Sequence, residues 1–303
     1  MSRILRKPRQ QPLRSSENRS SATLRRVQVR APAKINLTLR VLGTRPDGYH
    51  ELRTMFQSVA LHDTLTFASC DGPFSISSDD PRCPSNEENL VWRAADALWR
   101  AAGRRGKPSG VHVTIHKQIP IEAGLGGGSS DAAAAIRALS TLWQLTLPVE
   151  RTYHIARDLG ADVPFFFEGG TVLCVDRGDV LYPLIDRPSS SVVLIFPNFG
   201  VSTRDAYRWW DEWTEEQTPA ETGNDLQGPV AARHPGIARA VTRLRRLGAT
   251  HAAMSGSGSA VFGLFASDRR ARAAARAISG GRARVVVTET LTRRKYRSYS
   301  RPR

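Results

Sequence analysis

Four glycines, Gly124, Gly126, Gly127 and Gly128, fall in the stretch PIEAGLGGGSSDAAAA over residues 120–135. Glycines remove side chains where a backbone must come close to something, and Ser129 and Ser130 follow them directly. A helix N-terminus presenting free amides beside such glycines binds anions, of which phosphate is the commonest. The chemistry on offer is the cradling of a phosphate chain. A lone glycine pair would read as a plain tight turn, but four glycines, two serines and an alanine run favour the phosphate. Two familiar loops are excluded by what is missing. The P-loop needs Lys and then Ser or Thr after its last glycine, and Gly128 is followed by Ser129. The dinucleotide fingerprint requires a third glycine where Ser129 stands.

Other residues could act on what the loop holds. Lys34 and Asn36 lie two apart in APAKINLTL, so a strand presents both on one face, with solvent exposure the plain reading of such a lysine. Asp162 lies in GADVPFFF, where Gly160 ends a helix and Pro164 pushes Val163 toward extended geometry. Its carboxylate then stands at a defined turn at the edge of an apolar strand, where capping and acid–base roles compete. Tyr49 and His50 leave the turn Arg45-Pro46-Asp47-Gly48 together, an aromatic face beside an imidazole. Gly256, Ser257 and Gly258 form a second glycine–serine loop, either a small-residue turn or a wall that lets backbone approach the first loop. His112 and His116 have metal-pair spacing only on a helix; their β-branched neighbours indicate a strand with a solvated face. The sequence assigns no metal ligands.

The elements that must position these residues are legible in outline. An alternating strand begins at Val27, breaks at Pro32 and resumes through Lys34. Short strands are expected at 61–67 and 74–77, then a helix at 89–102 ended by Gly103, with Trp92 and Trp99 in the core. The strand at 111–115 feeds the glycine loop, and Ser129, Ser130 and Asp131 are N-cap types for the helix that follows. A helix at 149–159 precedes Asp162. Strands near 171–175, 180–184 and 192–196 lead to a helix from Thr203 that carries Tyr207. Residues 211–228 read as a loop that packs little. A helix at 234–247, the second glycine–serine loop between two strands, a helix at 269–278 and a strand at 284–288 complete the pattern.

A chain of 303 residues with 40% hydrophobic content can bury a sizeable core, here expected in two domains, 27–185 and 186–292. No apolar run approaches the roughly 18 residues of a membrane span, and no secretory h-region is present. Cys70, Cys83 and Cys174 are too scattered for a disulfide framework or a zinc cluster, and a soluble cytoplasmic protein is expected. The formal charge of +16 invites a nucleic-acid reading, yet residues 1–26 carry +7 and residues 293–303 carry +6, leaving +3 for the body. Both tails are expected to be solvated and disordered, with weak polyanion attachment the lesser reading. The first has the composition of an organellar transit peptide and equally of an overextended reading frame.

The glycine loop resembles the P-x3-GLG-G-SS-A phosphate motif of the GHMP kinase superfamily, named for galactose, homoserine, mevalonate and phosphomevalonate kinases. APAKINLTL is similar to that superfamily's first motif and ATHAAMSGSGSAVFGLF to its third, so the resemblance spans residues 30–290 in order. DGYHEL near PAKINL narrows it to the branch of non-mevalonate isoprenoid synthesis, whose acceptor is 2-C-methyl-D-erythritol carried on cytidine diphosphate.

The resemblance implies an α+β, two-domain GHMP kinase fold. The first domain would be similar to domain 2 of ribosomal protein S5, the second a ferredoxin-like α/β sandwich, with ATP and Mg²⁺ at their interface. It gives ATP to Pro120, Ile121, Glu122, Ala123, Gly124, Leu125, Gly126, Gly127, Gly128, Ser129 and Ser130, with Asn89 near the adenine and Ser129 or Ser130 approaching Mg²⁺. It makes Asp162 the base that takes the hydroxyl proton, and Lys34 the cation that keeps it ionised and steadies the transferred group. It gives the acceptor to Asn36, Tyr49, His50, Tyr207, Gly256, Ser257 and Gly258, with the two tyrosines and the imidazole around the cytosine. Asp131 stands where some relatives carry Asn, both capping types. A homoserine or mevalonate kinase would keep the loop and change the acceptor, which DGYHEL argues against. An RNA-binding module on the ribosomal fold would explain the charge but has no need of the loop with Lys34 and Asp162. The expected partner is a small molecule, not nucleic acid or membrane, and the expected assembly a monomer or weak dimer.

Overall fold

The computed structural model describes residues 25–213 and 223–303. Strands β1 (Arg26–Thr44) and β2 (His50–Pro73) flank the Arg45–Gly48 turn and pair antiparallel over their lengths. In that turn the Asp47 carboxylate accepts from Tyr49 N at 3.1 Å. The break expected at Pro32 is only a bulge: proline gives no N–H to the ladder, the register shifts between Pro32 and Lys34, and the strand continues. The strand expected at 61–67 is part of one of 24 residues.

The other edge of β2 is shared. Its second half pairs with β4 (Ser109–His116) and its first half with β5 (Thr171–Asp176). β3 (Ser75–Ser78) runs parallel to β4 and is joined to it through α1 (Leu90–Ala101), while β6 (Val180–Pro183) lies beyond β5. α1 begins where Asn89 Oδ1 accepts from Val91 N, and it buries Val91, Ala94, Ala95 and Leu98. Trp92 and Trp99 are half-buried at its edge, with Trp92 packed against the first core. In α2 (Gly127–Leu142) the run Ala132–Ala135 is fully buried, small side chains letting the helix lie close to α1 and β1. After α3 (Val149–Leu159) the expected apolar strand is instead one helical turn, α4 (Phe165–Glu168). Pro164 has helical dihedrals there, and Gly169 closes the turn at φ 68°.

The second half holds β7 (Ser191–Phe196), α5 (Thr203–Asp211), α6 (Gln227–Arg233), α7 (Gly236–Arg246), β8 (His251–Met254), β9 (Val261–Phe265), α8 (Asp268–Ile278) and β10 (Arg284–Glu289). Its antiparallel sheet has the order β10-β7-β9-β8, the ferredoxin-like arrangement of a βαββαβ chain. The halves are not independent. Leu39, Val41 and Leu52 belong to the second core, and Ala33, Ile35 and Leu37 pack against Val192, Leu194 and Phe196 in a third cluster between them.

Two further expectations are corrected. The segment 211–228 lies partly outside the described residues, but its end is firmly packed. Asn224 is fully buried and Asp225 accepts from Val41 N at 3.0 Å. The tail 293–303 forms α9 (Arg293–Tyr299), and Tyr296 is fully buried in the first core, because its apolar ring finds a slot that Gly169 leaves open. The first tail lies outside the described residues apart from its last two. Among the described residues no helix is long and apolar enough to cross a membrane.

Candidate active site

A cleft of about 440 Å³ brings together β1, the glycine loop, the Asp162 turn, α5 and the second glycine–serine loop. Lys34 and Asn36 project into it from one face of β1, while Ala33, Ile35 and Leu37 face the core. The bulge at Pro32 leaves Lys34 N free of the β2 ladder there, and it donates to Leu125 O of the loop at 3.0 Å.

Lys34 is not the exposed lysine of the plain reading. It is 4% exposed, with Nζ 3.3 Å from Asp162 Oδ2, 2.8 Å from Asn36 Oδ1 and 4.5 Å from the centroid of Phe56. Asn36 is fixed in turn, donating from Nδ2 to Thr54 Oγ1 at 2.8 Å. Asp162 occupies the turn between α3 and α4, where Val163 N donates back to Gly160 O at 3.0 Å. One carboxylate oxygen is therefore held by an ammonium at the cleft wall.

The glycine loop lines the same cleft from Pro120 through Ser129. Gly126, at φ 69°, is the N-cap of α2, so the serines and Asp131 are inside the helix rather than capping it. Gly124, at φ 72°, shows why the second loop consists of glycine and serine. A Cβ on Gly124 would stand 2.1 Å from Ser255 O and 3.0 Å from Gly258 N. Ser255 Oγ donates to Gly124 O at 3.0 Å, joining the two loops. Gly128 is different: its added Cβ would meet only Leu90, at 3.6 Å, so its bareness faces the cleft. Ser129 lines the cleft, whereas Ser130 is buried behind it and its hydroxyl donates to Pro32 O at 2.8 Å.

Asn89 lines the cleft with both ends of its amide engaged, Oδ1 by Val91 N and Nδ2 by Pro84 O at 2.6 Å. Beside it lies a group that the sequence reading missed. Lys117 Nζ is 2.5 Å from Asp63 Oδ2 and 2.9 Å from Asp131 Oδ2, and all three side chains are at least nine-tenths buried. Asp63 Oδ1 accepts from Gln118 N at 2.6 Å and Ile119 N at 2.8 Å, which fixes the approach to the glycine loop. Burial pushes the Asp131 carboxyl up to about 7 against the pull of Lys117, with the Asp63 charge adding to the rise. Burial opposes the Lys117 charge, but the two carboxylates more than offset it and its pKa is raised. Among the described residues Asp131 Oδ1 has no hydrogen-bond partner. No sequence pattern links residues 63, 117 and 131; Asp131, directly before the alanine run, reads only as a capping type.

At the opposite end, Tyr207 lines the cleft and stacks on His50, which is outside the lining, with ring centroids 4.6 Å apart, and His50 Nε2 is 2.7 Å from Asp211 Oδ1. Burial, with the Asp162 charge, raises the Tyr207 pKa and keeps the phenol neutral. Tyr49, 58% exposed, lies outside the cleft wall under Arg177, whose guanidinium is 5.3 Å from the ring centroid. The structure thus separates Tyr49 from the His50–Tyr207 stack. Arg177 lines the cleft and was also missed, since nothing in VDRGD marks it. Gly256 and Ser257 line the cleft; Gly258 serves by packing on Gly124. His112 is engaged by Ser75 and Ser77, and among the described residues no three His, Cys, Asp or Glu form a metal cluster.

The family model described as GHMP kinases N terminal domain matches residues 89–170, and that of GHMP kinases C terminal matches residues 214–281. The chain is 40% identical over 283 residues to a 4-diphosphocytidyl-2-C-methyl-D-erythritol kinase of Pelotomaculum thermopropionicum, covering 87% of this chain and 98% of that one. It is 41% identical to the enzyme of the same name from Moorella thermoacetica, over 86% and 98% of the two chains. A solved 4-(cytidine 5'-diphospho)-2C-methyl-D-erythritol kinase superposes with a TM-score of 0.73 at 35% identity, covering 87% of this chain and 98% of the other.

Proposed function

Because the chain belongs to the GHMP kinases, and among them to the 4-diphosphocytidyl-2-C-methyl-D-erythritol kinases, we propose that it transfers the γ-phosphoryl group of ATP to the 2-hydroxyl of 4-diphosphocytidyl-2-C-methyl-D-erythritol. The observation that carries the reading is the Lys34–Asp162 pair, 3.3 Å apart, in the same cleft as an open glycine loop. Asp162 accepts the hydroxyl proton as the alcohol oxygen bonds to phosphorus and the bond to the departing ADP oxygen breaks. Lys34 balances the carboxylate before that step and the transferred group during it. The loop supports ATP through bare glycines and the unpaired amides of the first turn of α2.

The fit to Mg²⁺ is that of an ion carried on phosphates. Without a three-residue cluster among the described residues, Ser129 and Asp162 are the cleft oxygens that would approach it, and the ion would neutralise phosphate charge. The His50–Tyr207 stack supports the cytosine end, and Arg177, paired with Asp179 Oδ2 at 2.9 Å, is a cation of the cleft wall that would face the diphosphate linker. Soluble action in the cytoplasm on a small molecule, as a monomer or weak dimer, belongs to the same reading. A coupled ADP-release assay with the cytidine substrate, mevalonate and homoserine tests it. Turnover of the cytidine compound alone is expected; folded protein that ignores it would overturn the proposal.

A further inference from the structure

We propose that the C-terminal helix α9 serves catalysis at one remove: Tyr296 is a positioning residue that fixes the Asp162 turn against the glycine loop, a role that rests on the kinase reading above. The Tyr296 hydroxyl donates to Phe166 O at 2.6 Å, and Arg137 of α2 donates from Nη2 to the same carbonyl. Phe166 is in α4, immediately past the Asp162 turn. Its ring supports the loop, since a Cβ on Gly126 would stand 2.9 Å from Phe166 Cζ and 3.2 Å from Lys34 Cγ. One residue therefore touches the loop with its ring, continues the chain from Asp162, and is tied by its carbonyl to both α2 and α9.

The short α4 gives this junction little strength of its own. It has four residues and no side-chain cap, and an isolated helical turn is unstable in water. Tyr296 supplies what it lacks. Its ring covers Gly169 so closely that a Cβ there would lie 2.0 Å from Tyr296 Cδ1. The segment that carries the helix is anchored at both ends: Asp186 accepts from Arg293 N at 2.7 Å, and Arg303, four residues past the helix, exchanges backbone bonds of 2.9 Å with Gln28. Asp162 itself is 31% exposed in its side chain and has its ion pair with Lys34 on one side, so its direction depends on the backbone that carries it. A displacement of about 1 Å at a reacting group is enough to cost about 10²-fold in rate.

Tyr296→Phe keeps the ring and removes only the hydroxyl. Turnover, the KM for each substrate and the thermal midpoint are measured beside wild type and beside Tyr299→Phe, a change on α9 that does not touch Phe166. Losing one neutral hydrogen bond to the junction should lower kcat roughly fivefold to tenfold while both KM values stay within about twofold. The midpoint should move by only a few degrees, and Tyr299→Phe should turn over like wild type. A Tyr296→Phe enzyme with wild-type kcat, or an equal loss in Tyr299→Phe, would overturn the proposal. Failure of the kinase reading is separately visible, as wild type would then show no turnover.

Discussion

Lys34 illustrates how much a single side chain depends on its setting. A buried ammonium is costly unless paired, and here Asp162, Asn36 and the face of Phe56 surround it. On the proposed mechanism Asp162→Asn should lower kcat by about 10² to 10⁴ with little change in substrate affinity. Lys34→Met should do likewise, and the double variant should lose less than the product of the singles, because the two act as one unit. Strict additivity in steady-state kinetics would separate them. Asp131 gives a prediction of opposite character. Its pKa rises from 3.8 to about 7 on folding, so between those values the folded state binds the extra proton. That contribution to stability is present at low pH and is lost as pH rises through this window. Thermal midpoints from pH 4 to 7 should therefore decline in wild type relative to Asp131→Asn, and parallel curves for the two would contradict the assignment. The sequence showed Asp131 only as a capping type; its pairing with Lys117 and Asp63 arises from strands and a helix that meet only in the fold.

Among the elements, the glycine loop was legible because its glycines and serines are adjacent in the chain. What each glycine does was not. Gly126 makes room for Phe166 and Lys34, Gly127 for Ile119, and Gly124 for the second loop, so larger residues there would disturb packing as well as binding. Gly128 alone among them combines an ordinary added contact, 3.6 Å to Leu90, with φ outside the left-handed region and a place on the cleft. Gly128→Val should fold with nearly the wild-type midpoint and lose ATP affinity by at least about tenfold, since roughly 1.4 kcal/mol of blocked approach suffices. Unchanged nucleotide binding in calorimetry would show that the loop is only a turn.

At the scale of the molecule, β1 and β2 are shared by both halves, and the two glycine loops meet at the seam between them. Gly124→Ala tests that seam. Its φ of 72° disfavours a side chain and its Cβ would collide with Ser255 O, so the variant should lose roughly 1–3 kcal/mol of stability in denaturant unfolding. No loss would mean that the loops can part freely. The two tails hold most of the net charge, and within the body residues 233–284 carry eleven arginines against Asp268, largely on the exposed sides of α7 and α8. By itself the sequence determined most of the helices and strands, the glycine loop and the family, because periodicity, glycine runs and turn residues act over a few neighbours. Only the tertiary structure decided that Lys34 is buried, that Lys117 joins two distant aspartates, and that Tyr49 stands apart from Tyr207. It also decided that the last helix reaches back to the Asp162 turn. Each of these depends on contacts between residues far apart in the chain, and burial and charge pairing are set by what the fold brings together.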